Sequence, residues 1–188
     1  DQYELAGREL AAAGFDHYEI SNWARPGREC RHNVVYWRNE PYLGLGAGAH
    51  GLAGGTRYQV VRQPRAYGRG VLGAGGEGGG GGGQGSGGEA DRRGGDARRF
   101  PLSSAVAAYH QVSPEEAMSD TAITQLRLLD EGLDMAGFAA RFGRAFDDVY
   151  ADEVHQLETW QLLHRRDDRL LLTEQGRFLS NQVFYRFV

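Results

Sequence analysis

The chain has 188 residues, room for one domain and a small second one. With 40% hydrophobic and 24% charged residues it has the balance of an ordinary globular protein. A formal net charge of -4 and a pI near 5.9 argue against a nucleic-acid-binding module, which would carry a basic face. The single cysteine, Cys30, permits no internal disulfide and no multi-cysteine metal site, which points to a reducing, cytoplasmic setting. No apolar run approaches the roughly 20 residues that span a bilayer. The opening Asp1-Gln2-Tyr3-Glu4-Leu5 has no basic-then-apolar leader and reads like the middle of a helix, as if the chain began inside an element.

Residues 1–14 predict an amphipathic helix, with Tyr3, Ala6, Leu10 and Ala13 on one face and Gly14 ending it. Residues 17–21 alternate like a short strand, and a loop containing Pro26-Gly27 follows. Tyr42 to His50 is apolar and small throughout, which predicts a strand buried on both faces with something close to its backbone. Thr56 to Arg62 predicts another strand, and the rhythm is that of an α/β sheet or barrel.

About half of the 29 glycines crowd into one stretch. From Gly68 to Arg98 the composition turns to Gly, Arg, Glu, Asp, Gln and Ser, too polar to offset its ordering entropy. We expect a disordered linker over 68–112; an aberrant, frame-shifted stretch of a GC-rich gene is the alternative. The expected domains are therefore 1–67, the linker 68–112, and 113–188.

In the last of these, Ser113-Pro114-Glu115-Glu116 is a capping box with proline at the first helical position. Met118, Ala122, Leu126 and Leu129 form a core-facing stripe, and Asp134 caps a short helix that Gly143 ends. A longer helix runs from Phe146 to Leu162. Residues 161–165 and 169–173 flank Asp167-Asp168 as a hairpin, and Leu179, Val183 and Phe187 share one side of a final helix. The order resembles a winged-helix-like domain.

Three clusters could carry chemistry. Glu29 to Trp37 gathers His32, Asn33, Tyr36 and Trp37; imidazole can ligate iron and aromatics can stack on a planar ring, although a histidine beside aromatics also serves as a packed or capping residue. Gly46 to Gly51 matches G-x-G-x-x-G, but a turn follows it and no acidic residue lies about 20 positions on, so we reject a dinucleotide fold. Its glycines fit close backbone approach, by a ligand or by a packed neighbour. Glu19 to Gly27 places polar side chains at a strand end, where ligand sites gather, or is simple turn chemistry. His110, His155 and His164 show no metal-ligand spacing.

His17-Tyr18-Glu19-Ile20-Ser21-Asn22-Trp23-Ala24-Arg25-Pro26-Gly27, then Arg31-His32-Asn33-Val34-Val35-Tyr36-Trp37, then Gly44-Leu45-Gly46-Ala47-Gly48-Ala49-His50-Gly51, resemble in order and spacing the HemW-type branch of the oxygen-independent coproporphyrinogen III oxidase-like radical SAM family. The run Leu171-Leu172-Thr173-Glu174-Gln175-Gly176 and the segment from Leu179 to Phe184 resemble that family's tail. The resemblance implies the C-terminal part of a partial TIM-like barrel, followed by a small helical, winged-helix-like domain. It implies S-adenosylmethionine and a [4Fe–4S] cluster in the full-length parent. Ala24 and His50 fall where the oxidase relatives line the S-adenosylmethionine pocket, with Gly46 on the same predicted strand as His50. His32-Asn33-x-x-Tyr36-Trp37 is the signature associated with haem, with His32 the candidate axial ligand.

One cysteine cannot hold the family's cluster, so the chain reads as a C-terminal fragment, inactive by itself. The leading expectation is part of a haem chaperone that binds haem or porphyrin and passes haem to apoproteins. Coproporphyrinogen III decarboxylation is the enzymatic alternative, and a protein-interaction module built on 113–188 is the third.

Overall fold

A computed structural model describes residues 2–72 and 102–188. The chain is mixed α/β, and its contacts gather into two units. One comprises Asp1–Glu40 with Ser113–Val188, the other Pro41–Val112. This grouping differs from the three consecutive segments that composition suggests. Residues Val106–Gln111, inside the expected linker, form a strand that pairs along an earlier one and so belong to an ordered unit. Most of the glycine tract, 73–101, lies outside the described residues.

In the first unit, helix α1 (Gln2–Ala12) stops at Gly14, whose φ of 78° only glycine adopts cheaply. Strands β1 (Asp16–Glu19) and β2 (Asn22–Ala24) form a tight antiparallel hairpin. The polar residues expected to leave a strand end as loop thus fold straight back on it. Helix α2 (Arg31–Trp37) then covers the His-Asn-x-x-Tyr-Trp motif. The periodicity did not predict it: Val34, Val35 and two aromatics are poor helix formers, and Cys30 supplies no side-chain cap.

The rest of this unit follows its pattern closely. Ser113 Oγ accepts from Glu116 N–H at the start of α4 (Pro114–Gln125), and Asp134 accepts from Gly137 N–H at the start of α5 (Met135–Phe142). Gly143, with φ of 68°, ends α5, and α6 (Phe146–Thr159) follows. Strands β6 (Leu133–Asp134), β7 (Leu163–Arg166) and β8 (Arg169–Leu172) make an antiparallel sheet in the order β6-β8-β7. Helices α7 (Glu174–Phe178) and α8 (Ser180–Phe184) close the unit with a 3-10 turn over Tyr185–Phe187. Met118, Ala122, Leu126, Leu129, Phe138, Phe146, Leu157, Leu170, Val183 and Phe187 share one core, so the predicted stripes face inward together.

The second unit is a three-stranded antiparallel sheet of β3 (His50–Ala53), β4 (Thr56–Val60) and β5 (Val106–Gln111), with helix α3 (Pro64–Leu72). Residues 42–49 are not the buried strand that their apolar character predicts. Gly46 and Gly48 take φ of 105° and 76°, which no strand accommodates, and Leu43 and Leu45 are exposed. Only the bridge between Tyr42 and Leu52 is strand-like. Among the described residues, no helix is long and apolar enough to cross a membrane.

Candidate functional site

Helix α2 has two unlike ends. His32 sits on its first turn, exposed, with its ring edge-on to Tyr36 at 4.8 Å between centroids. Asn33 and Tyr36 are half-buried. The spacing of four residues places His32 and Tyr36 on one face, so the motif brings an imidazole and a phenol together at the surface. The last turn is gripped. Trp37 lies under the Arg127 guanidinium, 4.2 Å from the ring centroid. Arg38 donates two hydrogen bonds, of 3.0 and 2.8 Å, to the Glu131 carboxylate, which pushes the guanidinium pKa up. Asn39 is buried with φ of 52°; its Nδ2 donates to Thr121 Oγ1 at 3.0 Å, and its carbonyl accepts from Arg141 at 3.0 Å.

Ala24 is buried at the end of β2, paired with Asp16. Behind the hairpin, His17 stacks on Trp23 with centroids 4.0 Å apart, and Tyr3 packs edge-on to both. The Ile20 carbonyl accepts from Tyr3 Oη at 2.9 Å and from His17 Nε2 at 3.1 Å, which puts the proton of a neutral ring on Nε2. Burial pushes the His17 imidazole pKa down and the Tyr3 phenol pKa up.

Gly46 and His50 belong to the second unit, apart from the other five candidates in the grouping of contacts. His50 opens β3, is exposed and pairs with Gln59. The segment Gly46 to Gly51 leads into a strand rather than a helix, in keeping with rejection of a dinucleotide fold. Two of the neighbouring glycines are explained by packing. A Cβ on Gly44 would lie 2.1 Å from the His50 carbonyl oxygen, and one on Gly51 would lie 2.2 Å from the Tyr58 ring. Tyr58 Oη in turn accepts from Gly44 N–H at 2.9 Å. Gly46 has open space around it, so only its φ demands glycine there.

The described residues contain no grouping of three or more His, Cys, Asp or Glu able to hold a metal ion, and Cys30 is exposed and free. A cubane cluster needs several thiolates, so this chain's own residues do not fit it. Two further residues bear on α2. Glu19 is fully buried, and Arg127 connects it to Trp37. The sequence trace of Arg127 is a lone charge in the apolar run Leu126-Arg127-Leu128-Leu129, which periodicity alone passes over.

Residues 112–179 match the HemN C-terminal domain family. The chain is 31% identical to the heme chaperone HemW of Bacillus subtilis over 188 residues, which is 100% of this chain and 42% of that protein. It is 33% identical to the heme chaperone HemW of Mycobacterium tuberculosis over 182 residues, 97% of this chain and 37% of that one. Among solved structures, coproporphyrinogen III oxidase (HemN) from Escherichia coli, a radical SAM enzyme, matches with a TM-score of 0.63. That match covers 98% of this chain and 39% of the other at 16% identity, a likeness of fold. The chain thus spans about two fifths of the length of the relatives it matches. On these matches residues 112–179 belong to the HemN C-terminal domain family, and the chain as a whole resembles a C-terminal portion of the HemW-type proteins.

Proposed function

We propose that this chain carries the haem-contacting helix of a haem chaperone. The observation that carries the reading is the construction of α2, with an exposed imidazole at one end, edge-on to a phenol, and a firmly anchored opposite end. In this reading His32, through Nε2 or Nδ1, would ligate the haem iron, with Tyr36 edge-on beside it. Trp37 sets the helix against the body of its unit through Arg127, and half-buried Asn33 follows His32 on the first turn. Bound haem would supply an iron centre that an imidazole can ligate. By the same resemblance Ala24 in the first unit, and Gly46 and His50 in the second, would each be a contact for S-adenosylmethionine. The cluster ligands come from outside this sequence, so the chain by itself performs no radical chemistry.

Transfer of haem to apoproteins, in the cytoplasm, is the proposed role of the whole protein. The oxidase alternative has the solved HemN structure behind it only as a likeness of fold. The His32-Asn33-x-x-Tyr36-Trp37 signature and the HemW relatives favour the chaperone.

The test is a haem titration of the full chain followed by absorbance. A saturable Soret shift that is lost in His32→Ala is the expected result. A folded sample with no saturable shift, or an identical shift in His32→Ala, rejects the proposal.

A further inference from the structure

The haem reading leaves a buried charge at the foot of α2 unexplained. Glu19 is the last residue of β1 and is 0% exposed. One of its carboxylate oxygens accepts from Asn22 Nδ2. The other, Oε2, has no hydrogen-bond partner and lies 3.7 Å from the Arg127 guanidinium. The same guanidinium lies 4.2 Å from the centroid of the Trp37 ring and 5.8 Å from that of Phe184. Arg127 Nε and Trp37 Nε1 are buried without hydrogen-bond partners. The arrangement is therefore poorly satisfied by hydrogen bonds and held by charge and by the ring face.

A hydrophobic group of similar size would fill such a place at no loss of stability, because desolvation cancels much of the attraction in a buried ion pair. What a hydrophobic group could not do is define an angle. The backbone around Arg127 is itself fixed: Ile20 N–H donates to the Arg127 carbonyl at 3.3 Å, and Leu129 N–H donates to the Tyr18 carbonyl at 3.0 Å. The side chain thus leaves a segment bonded to β1 and reaches the indole of α2.

We propose that Arg127 is a positioning residue that aims α2: its guanidinium faces the buried Glu19 carboxylate and holds the Trp37 ring. Its consequence for haem rests on the reading of α2 given above. A planar guanidinium meets both the carboxylate and the ring face, whereas an ammonium keeps the charge without the plane. Lysine should therefore restore folding but not the aim.

The experiment uses the full chain labelled with 5-fluorotryptophan, whose three tryptophans give three fluorine resonances, Trp37 being assigned by its loss in Trp37→Phe. Arg127→Met alone strands a buried carboxylate and can unfold the protein, so it is paired with Glu19→Gln in a double variant, and Arg127→Lys is measured beside it. In both the double variant and Arg127→Lys we expect cooperative unfolding, a shifted and broadened Trp37 resonance, and haem affinity reduced about tenfold, the scale on which groups behind a metal ligand act. An unmoved Trp37 resonance overturns the proposal. So does a moved resonance with unchanged haem affinity, and so does loss of cooperative unfolding in the double variant, which would make the pair a support of the fold. A wild-type chain that binds no haem rejects the haem reading instead, and the positioning of Trp37 is then decided by the fluorine resonance alone.

Discussion

Replacing Gly51 by alanine separates the two explanations of the glycine-rich segment, close packing and close approach of a ligand. The new Cβ would stand 2.2 Å from Tyr58 Cζ, 2.3 Å from Oη and 2.4 Å from Cε1, far inside van der Waals contact. Tyr58 is 5% exposed, so its ring cannot swing out into water without opening the sheet. Relieving such overpacking costs about 1–3 kcal/mol. Displacing the ring also breaks the bond from Gly44 N–H to Oη, worth roughly 1 kcal/mol. The smaller conformational freedom of alanine in the unfolded chain returns about 0.4–1 kcal/mol. The net loss is then roughly 1–4 kcal/mol. Hydrogen exchange of peptides spanning residues 42–60 reads it locally, where a global melt would average over two units. Gly51→Ala should exchange faster there and leave the core of α4 and α6 unchanged. Tyr58→Phe, which loses only the hydroxyl, should show a smaller effect of the same pattern. Wild-type exchange in Gly51→Ala would refute the packing explanation and return the glycines to a ligand.

Leu126 is fully buried at the end of α4, so Leu126→Ala should cost about 3 kcal/mol, measured by urea unfolding. Thr121 Oγ1 accepts from the buried Asn39 Nδ2, and Thr121→Val keeps the volume while leaving that amide unpartnered, at about 1–3 kcal/mol. Its exchange signature should appear at the amides of Val34, Val35 and Arg38 and not in the β7–β8 hairpin. His17 is held neutral by burial, so its folded pKa lies below the ordinary histidine value near 6.5 and the unfolded chain takes up the proton more readily. Its contribution to stability is complete above about pH 6.5 and is lost as the pH falls through the folded value. His17→Phe should therefore flatten the decline in unfolding free energy between about pH 7 and pH 5; an unchanged slope would exclude His17 as its source.

Legibility in the sequence followed the physics of each element. Where a cap, a stripe and a stop signal agree, as from Ser113 through Gly143, local chemistry decides the backbone and the structure repeats it. The 42–50 segment is apolar yet no buried strand, because Gly46 and Gly48 spend their freedom on positive φ, and Leu43 and Leu45 ahead of them face solvent. The motif residues His32 to Trp37 were legible as a chemical cluster, but not as a helix. Arg127 was illegible, because what matters about it is long-range: the carboxylate and indole it meets lie about a hundred residues earlier in the chain.

That last point bears on how α2 exists at all. Seven residues are too few for a helix to be stable by itself, and this one has β-branched residues at its centre and no side-chain cap. Its conformation must be imposed by what it packs against, and the contacts described for it concentrate at one end. Trp37 meets Arg127, Arg38 meets Glu131, and Asn39 meets Thr121 and Arg141. All four partners come from the segment 113–188, the part that could be read as a separate interaction module. The C-terminal segment is thus the template on which the motif becomes helical. A substitution among those partners should be felt at His32 without touching it, because a helix anchored at one end transmits a change of pitch to the other.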